Sequence, residues 1–198
     1  MKYLIVLMMV FSVIGCSKKE SHTSATATPI IAKDLGKDSK YFSDLYGTKS
    51  SEKHESDYNF SLPSVGHLIS MNGPFVVQKF SSEKLNVTVV FPAASAQAIW
   101  VKYTLPNPWT EDQIKAALVA YDNKWSSVIA NNGVSGLGEA LMKTMMPAVT
   151  PSTFQSNSGV LACKTIANEL MIYSPVLVQD LSQLVTEQEK QKSAVPKF

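Results

Sequence analysis

Val87-Thr88-Val89-Val90-Phe91, then Ala98-Ile99-Trp100-Val101-Lys102-Tyr103-Thr104-Leu105, then Thr110-Glu111-Asp112-Gln113-Ile114 is the stretch whose reading decides the fold. The first two runs are rich in β-branched and aromatic residues and bounded by turn formers, which predicts two strands. In the second run Ile99, Val101, Tyr103 and Leu105 alternate with Ala98, Trp100, Lys102 and Thr104, so the two sets face opposite sides of a sheet. Pro92 to Gln97 is short and polar enough to join them as a hairpin. Thr110 and Gln113 stand at the two positions of a capping box, and Trp109 and Ile114 at those of a hydrophobic staple. Ile114, Leu118, Tyr121, Trp125 and Val128 then recur at helical spacing, which predicts a helix running to the stop signal Asn131-Asn132-Gly133.

Outward from this centre the same signals repeat. Residues 60–70 and 75–80 are β-compatible and separated by Asn72-Gly73-Pro74, a turn signal. A second short helix is expected over residues 137–146, ended by Pro147. Strands are expected over 153–157, 160–165 and 169–174, with Asn157-Ser158-Gly159 and Ala167-Asn168 at the turns. Ser174-Pro175 opens a last helix, with Pro at its first position and Leu177, Leu181, Leu184 and Val185 in register, fading into a polar tail over 187–192. Strands, helices, strands and a helix joined by short links predict an α+β domain. Its sheet is mostly antiparallel, with two to three helices packed on one face. No internal repeat is visible.

The start of the chain carries a separate signal. Lys2 precedes an apolar run from Tyr3 to Ile14 that closes on Val13-Ile14-Gly15-Cys16, and polar sequence begins at Ser17. The run is shorter than the roughly 20 residues a spanning helix needs. A charged start, a short apolar centre and small residues at its end describe a cleavable secretory signal. The segment resembles the bacterial lipoprotein signal, whose lipobox is a short apolar–small–Cys pattern. That resemblance implies removal of residues 1–15 and lipidation of Cys16. Two or three acyl chains hold firmly where one does not. It also implies a cell-envelope location, anchored to a membrane through lipid. Ser17 after the cysteine favours the outer membrane, facing the periplasm, where the cell has two membranes. Residues 16–57 read as a lipidated, mostly disordered tether: polar, low in complexity at residues 21–28, with seven lysines against seven acidic residues over 17–57. As a flexible coil it would reach on the order of 35 Å. One island interrupts it, Tyr41, Phe42, Leu45 and Tyr46 at helical spacing after the N-cap candidate Asp38, a short helix expected to dock on its own domain. The globular domain is expected over 58–198.

Composition narrows the chemistry. Net charge is +2, and all 18 basic residues are lysines. Without arginine the chain lacks the bidentate grip on phosphate and the base-stacking cation of nucleic-acid binders, so no nucleic-acid partner is expected. Of the two cysteines, lipidated Cys16 leaves Cys163 without an intramolecular partner, which excludes a disulfide scaffold. Cys163 falls on a predicted strand beside Leu161 and Thr165 and reads as a buried apolar residue. His22 and His54 lie in the tether, leaving His67 as the histidine of the domain. No zinc pattern, P-loop or nucleophile elbow occurs, so no metal or cofactor is expected. The glycine-rich stretch Gly133 to Gly138 follows a helix instead of a strand and reads as a helix stop. Asn86-Val87-Thr88 fits a glycosylation sequon, which carries no weight in a bacterial lipoprotein.

One surface hint remains. If Val101 and Tyr103 face the helix, Trp100 faces the other side with Lys102 and Thr104, and an exposed Trp among polar neighbours marks a contact surface. Either these three residues are the candidate binding surface, or a second layer such as the last helix covers Trp100. The expected role is a non-enzymatic binding or accessory module for an envelope protein, peptidoglycan or another glycan. The alternative is an envelope hydrolase with a dispersed site that includes His67.

Overall fold

The computed structural model describes residues 31–62, 67–128, 152–165 and 168–194. Cys16, the predicted helix over 137–146 and the glycine-rich stretch lie outside the described residues. The elements are α1 (Ser39–Tyr46), β1 (Lys49–Leu62), β2 (His67–Ser81), β3 (Asn86–Pro92), β4 (Trp100–Thr104), α2 (Glu111–Tyr121), β5 (Trp125–Val128), β6 (Ser152–Ser156), β7 (Leu161–Lys164), β8 (Glu169–Tyr173) and α3 (Pro175–Ala194). The strands form one eight-stranded sheet in the order β1-β2-β3-β4-β8-β7-β6-β5, with every neighbouring pair antiparallel. Two four-stranded meanders therefore meet at β4 and β8, each followed by a helix. The α+β class and the mostly antiparallel sheet are as the sequence predicts.

The helices do not share one face, as expected, because the sheet has an apolar set on each side. Val87, Val89, Phe91, Val101, Tyr103, Leu170 and Ile172 pack with Ile114 and Leu118 of α2 and Phe42 of α1. Val90, Trp100, Leu161, Cys163, Met171 and Tyr173 pack on the opposite side with Leu177 and Leu181 of α3. Strands buried on both faces read as near-continuous apolar runs, which is what β3 and β8 show. Ile99 belongs to the second face, because strand pairing begins only at Trp100.

Three element readings are corrected. The helix after Thr110 has its capping box, with Gln113 N–H donating to Thr110 Oγ1 at 3.3 Å and Thr110 N–H to Gln113 Oε1 at 3.0 Å. It stops at Tyr121, however, and Trp125 and Val128 bound strand β5. The Trp125 indole N–H donates to Leu118 O at 3.0 Å and Asp122 O at 2.8 Å, satisfying carbonyls that a continuing helix would use. Asn72-Gly73-Pro74 is not a turn. It lies inside β2, where Gly73 and Pro74 together stand opposite Ser56 in a break of the β1–β2 register. A bulge tolerates a proline, which has no N–H for the ladder. A Cβ on Gly73 would come within 2.5 Å of the Phe75 ring, so the chain needs glycine there. Finally, α3 runs through the expected polar tail to Ala194.

The largest correction concerns the tether. The folded unit begins by Ile31, not at residue 58. Gly36 N–H donates to Ala98 O at 2.8 Å and Ala98 N–H to Lys37 O at 2.9 Å, joining residues 36–37 to the β3–β4 connection. The Asp38 carboxylate caps α1 through Tyr41 N–H at 2.9 Å. Phe42 is fully buried against Phe80 and Phe91. Residues 49–57 are the first part of β1, polar because that half of the edge strand faces water. A charged, exposed edge strand has the composition of a tether, and charge is how natural edges resist mispairing.

Candidate functional site

Trp100, Lys102 and Thr104 lie on one face of β4, as alternation predicts, but they do not form an exposed surface. Trp100 is 4% exposed. Its ring meets Tyr58, Phe60 and Tyr173 with centroids 5.9, 6.2 and 6.2 Å away. The indole is covered because α3 and the outer part of the β1–β2 hairpin close over that face. Lys102 and Thr104 are half-buried. Lys102 Nζ donates to Glu169 Oε1 of β8 at 2.8 Å, so its charge is matched within the sheet.

The Trp100 indole N–H is buried and has no hydrogen-bond acceptor. It lies beside the Tyr173 hydroxyl without bonding geometry, and its proximity slightly opposes the rise that burial imposes on that phenol. Tyr173 instead donates its proton to Ser61 O of β1, tying the hairpin down.

His67 opens β2, and its side chain lies outside the described residues. His54, expected in the tether, is on β1 with Nε2 3.2 Å from Glu52 Oε1 and its ring largely exposed. Cys163 is fully buried beside Leu161, as predicted; burial pushes its thiol up to about 12, and only the Thr153 hydroxyl, 3.8 Å away, opposes that.

The most concentrated chemistry is a site that sequence reading missed. Asp34, fully buried, accepts hydrogen bonds from Tyr41 Oη at 3.0 Å, Tyr46 Oη at 2.5 Å and Tyr103 Oη. Tyr121 Oη lies 2.5 Å from Tyr103 Oη. The donors come from α1, β4 and the end of α2. With the carboxylate ionised every hydroxyl proton has an acceptor: Tyr121 donates to Tyr103, and Tyr103 to Asp34. Burial raises Asp34 above the usual carboxylate value, while the hydroxyls of Tyr103, Tyr46 and Tyr41 and the charge of Lys37 pull it back. Burial first, then the Asp34 charge, pushes Tyr41 up to about 12 and Tyr46 higher still. Tyr103 and Tyr121, fully enclosed, are raised well above the ordinary phenol value by burial, to which Tyr121 and then Asp34 add for Tyr103, and Asp34 for Tyr121. The arrangement holds a proton-donor chain around one anion and pins residues 31–46 to the body of the domain. The sequence places Tyr41 and Tyr46 on a short helix, Tyr103 on a strand and Tyr121 on a helix stripe, but nothing in it brings those elements together around Asp34.

Among the described residues no three His, Cys, Asp or Glu side chains gather as a metal site. No family model matches the chain, and no curated protein or solved structure matches it either.

Proposed function

We propose that this chain is a lipid-anchored bacterial envelope lipoprotein whose α+β domain serves as a non-enzymatic binding or accessory module. The observation that carries the reading is Val13-Ile14-Gly15-Cys16 at the end of a short apolar run. The cysteine becomes the lipidated first residue, and the domain sits on the periplasmic side of an outer membrane where there is one. Its partner is an envelope protein, peptidoglycan or another glycan. Supporting the non-enzymatic reading, the buried carboxylate that would make the natural acid or base, Asp34, has its lone pairs engaged by three tyrosine hydroxyls of its own fold.

The leash is shorter than composition implies. Cys16 and Ile31 are separated by residues 17–30. As a flexible coil those 14 residues would reach about 20 Å, against about 35 Å for residues 17–57. The domain therefore works close to the membrane surface.

Growth with an alkyne fatty acid tests the anchor. The wild-type chain takes the label and partitions with membranes, and Cys16→Ser abolishes both. An unlabelled wild-type chain sinks the lipoprotein reading. Affinity capture from envelope fractions and co-sedimentation with insoluble peptidoglycan test the module. The bait is residues 17–198, since a bait beginning at residue 58 lacks α1 and most of β1. Retention of a stoichiometric envelope protein or glycan supports the module; retention of neither, with the bait folded, counts against it.

A further inference from the structure

The outer end of the β1–β2 hairpin is joined to the sheet differently from the rest. β2 pairs with β3 only from Phe75 to Ser81. Beyond the bulge, residues 57–62 pair with 67–72 alone. Among the described residues, what holds this end down is side-chain packing of Tyr58, Phe60, Ile69 and Met71 and the Tyr173–Ser61 hydrogen bond. Gly73 and Pro74 mark the only break in that ladder on the β2 side, so they form the hinge. Beneath the hairpin end lies Trp100 with its unsatisfied N–H. Leaving a buried donor unpaired is unfavourable, and such a group in a native fold calls for an explanation.

We propose that the paired residues 57–62 and 67–72 act as a lid over an aromatic site floored by Trp100 and Tyr173. The site takes a neutral, mainly apolar ligand bearing one carbonyl or hydroxyl oxygen that accepts the Trp100 N–H. Neutrality follows from the lining. Tyr58, Phe60, Phe75, Trp100 and Tyr173 carry no charge; Glu169 is matched by Lys102, and Glu55, opposite Phe75 on β1 and acting on Tyr58, is partly exposed at the rim. A charged ligand entering here would lose its hydration among the rings, and an anion would also meet Glu55. The apolar character follows from the ring faces of Trp100 and Tyr173, which favour flat apolar groups. Lifting the lid frees the Tyr173 hydroxyl from Ser61 O and supplies a second donor. This gives the binding-module reading a ligand class and rests on that reading only for its biological use. Fatty-acid labelling and envelope capture succeed or fail independently of it.

The test uses residues 17–198 with 15N-labelled tryptophan, which shows three indole N–H signals. Trp100→Phe assigns one by its disappearance, and Trp109→Phe and Trp125→Phe assign it by elimination if that variant does not fold. Acetophenone is the probe, and α-methylstyrene, of the same shape without the oxygen, is its control. The expected result is a saturable downfield shift of the Trp100 N–H with acetophenone and none with the control. Tyr173→Phe, which removes the tie to Ser61, is expected to speed solvent exchange of the Trp100 N–H relative to that of Trp109. A Trp100 signal that stays put up to the probe's solubility, in both wild type and Tyr173→Phe, overturns the proposal. So does an equal response of all three indoles to both probes.

Discussion

A single carboxylate decides how the start of the fold responds to pH. Burial raises Asp34 from its ordinary 3.8, so the folded protein holds that proton more tightly than the unfolded chain does. Stability linked to this group is fully present below about pH 4 and is lost as pH rises through the folded-state value. Glu52, Glu111 and Asp122 are lowered instead, chiefly by hydrogen bonds with Lys49, Lys115 and Ser158, and run the opposite way. The informative quantity is therefore a difference between variants. Asp34→Asn is expected to melt below wild type at every pH, because its amide meets hydroxyl donors on both sides. The gap in melting temperature should be widest near pH 4 and shrink toward pH 7; a gap that widens with pH would contradict a raised Asp34. Tyr103→Phe removes one donor from Asp34 and the acceptor of Tyr121, and denaturant titration should show a loss of about 1–3 kcal/mol. Cys163 supplies a simpler check. In residues 17–198 it is the sole thiol, and its value near 12 keeps it protonated at pH 8. A disulfide reagent should leave it untouched in the native protein and modify it fully in denaturant.

At the scale of elements, the bulge in β2 is where a small change does the most harm. Gly73→Ala places a methyl carbon 2.5 Å from the Phe75 ring, and overpacking of this kind costs about 1–3 kcal/mol. Phe75→Leu removes the obstructing ring edge, so the double variant should be less destabilised than the two single losses added together. Chemical denaturation of the four proteins measures that coupling. Thr110→Ala removes one half of the capping box at the start of α2 and should cost about 1 kcal/mol. These two places also mark what sequence conveys. The box, the staple and the β3–β4 hairpin were legible because each depends on residues close in the chain. Asn72-Gly73-Pro74 was misread because a turn and a bulge ask for the same residues; only the partner strand tells them apart. The extra turns given to α2 had the same origin. Trp125 and Val128 keep helical spacing by coincidence of two periods, while Asp122 is instead bound to the β6–β7 turn through Ser158 Oγ at 2.8 Å. The Trp100 surface failed for a different reason. Alternation fixes which face a side chain takes, and that held, but whether a second layer covers the face depends on contacts with residues 58–61 and with α3, far away in sequence.

At the scale of the whole molecule, the segment that composition assigns to a tether completes the core. Residues 31–57 bring in Phe42, fully buried between Phe80 and Phe91, the Asp34 cluster and most of the edge strand. Removing one buried Phe costs about 3–5 kcal/mol, and a domain of this size has only about 5–15 kcal/mol to lose. Losing Phe42 together with Asp34, its hydroxyl partners on α1 and the β1 ladder therefore removes a share comparable with the whole. It also leaves Tyr103 and Tyr121 buried without their anion and bares Phe80 and Phe91. Residues 17–198 are expected to unfold in one cooperative transition. Residues 58–198 are expected to bind a hydrophobic dye strongly and to show no cooperative transition, with Phe42→Ala falling between the two. Circular dichroism melts of the three proteins, read beside dye fluorescence, decide it. If residues 58–198 melt cooperatively at the same temperature as 17–198, the N-terminal segment is an accessory laid on a self-sufficient domain. If they do not, residues 31–57 belong to the core itself, and under the proposed anchoring at Cys16 a pull on the chain would reach Asp34 and α1 first.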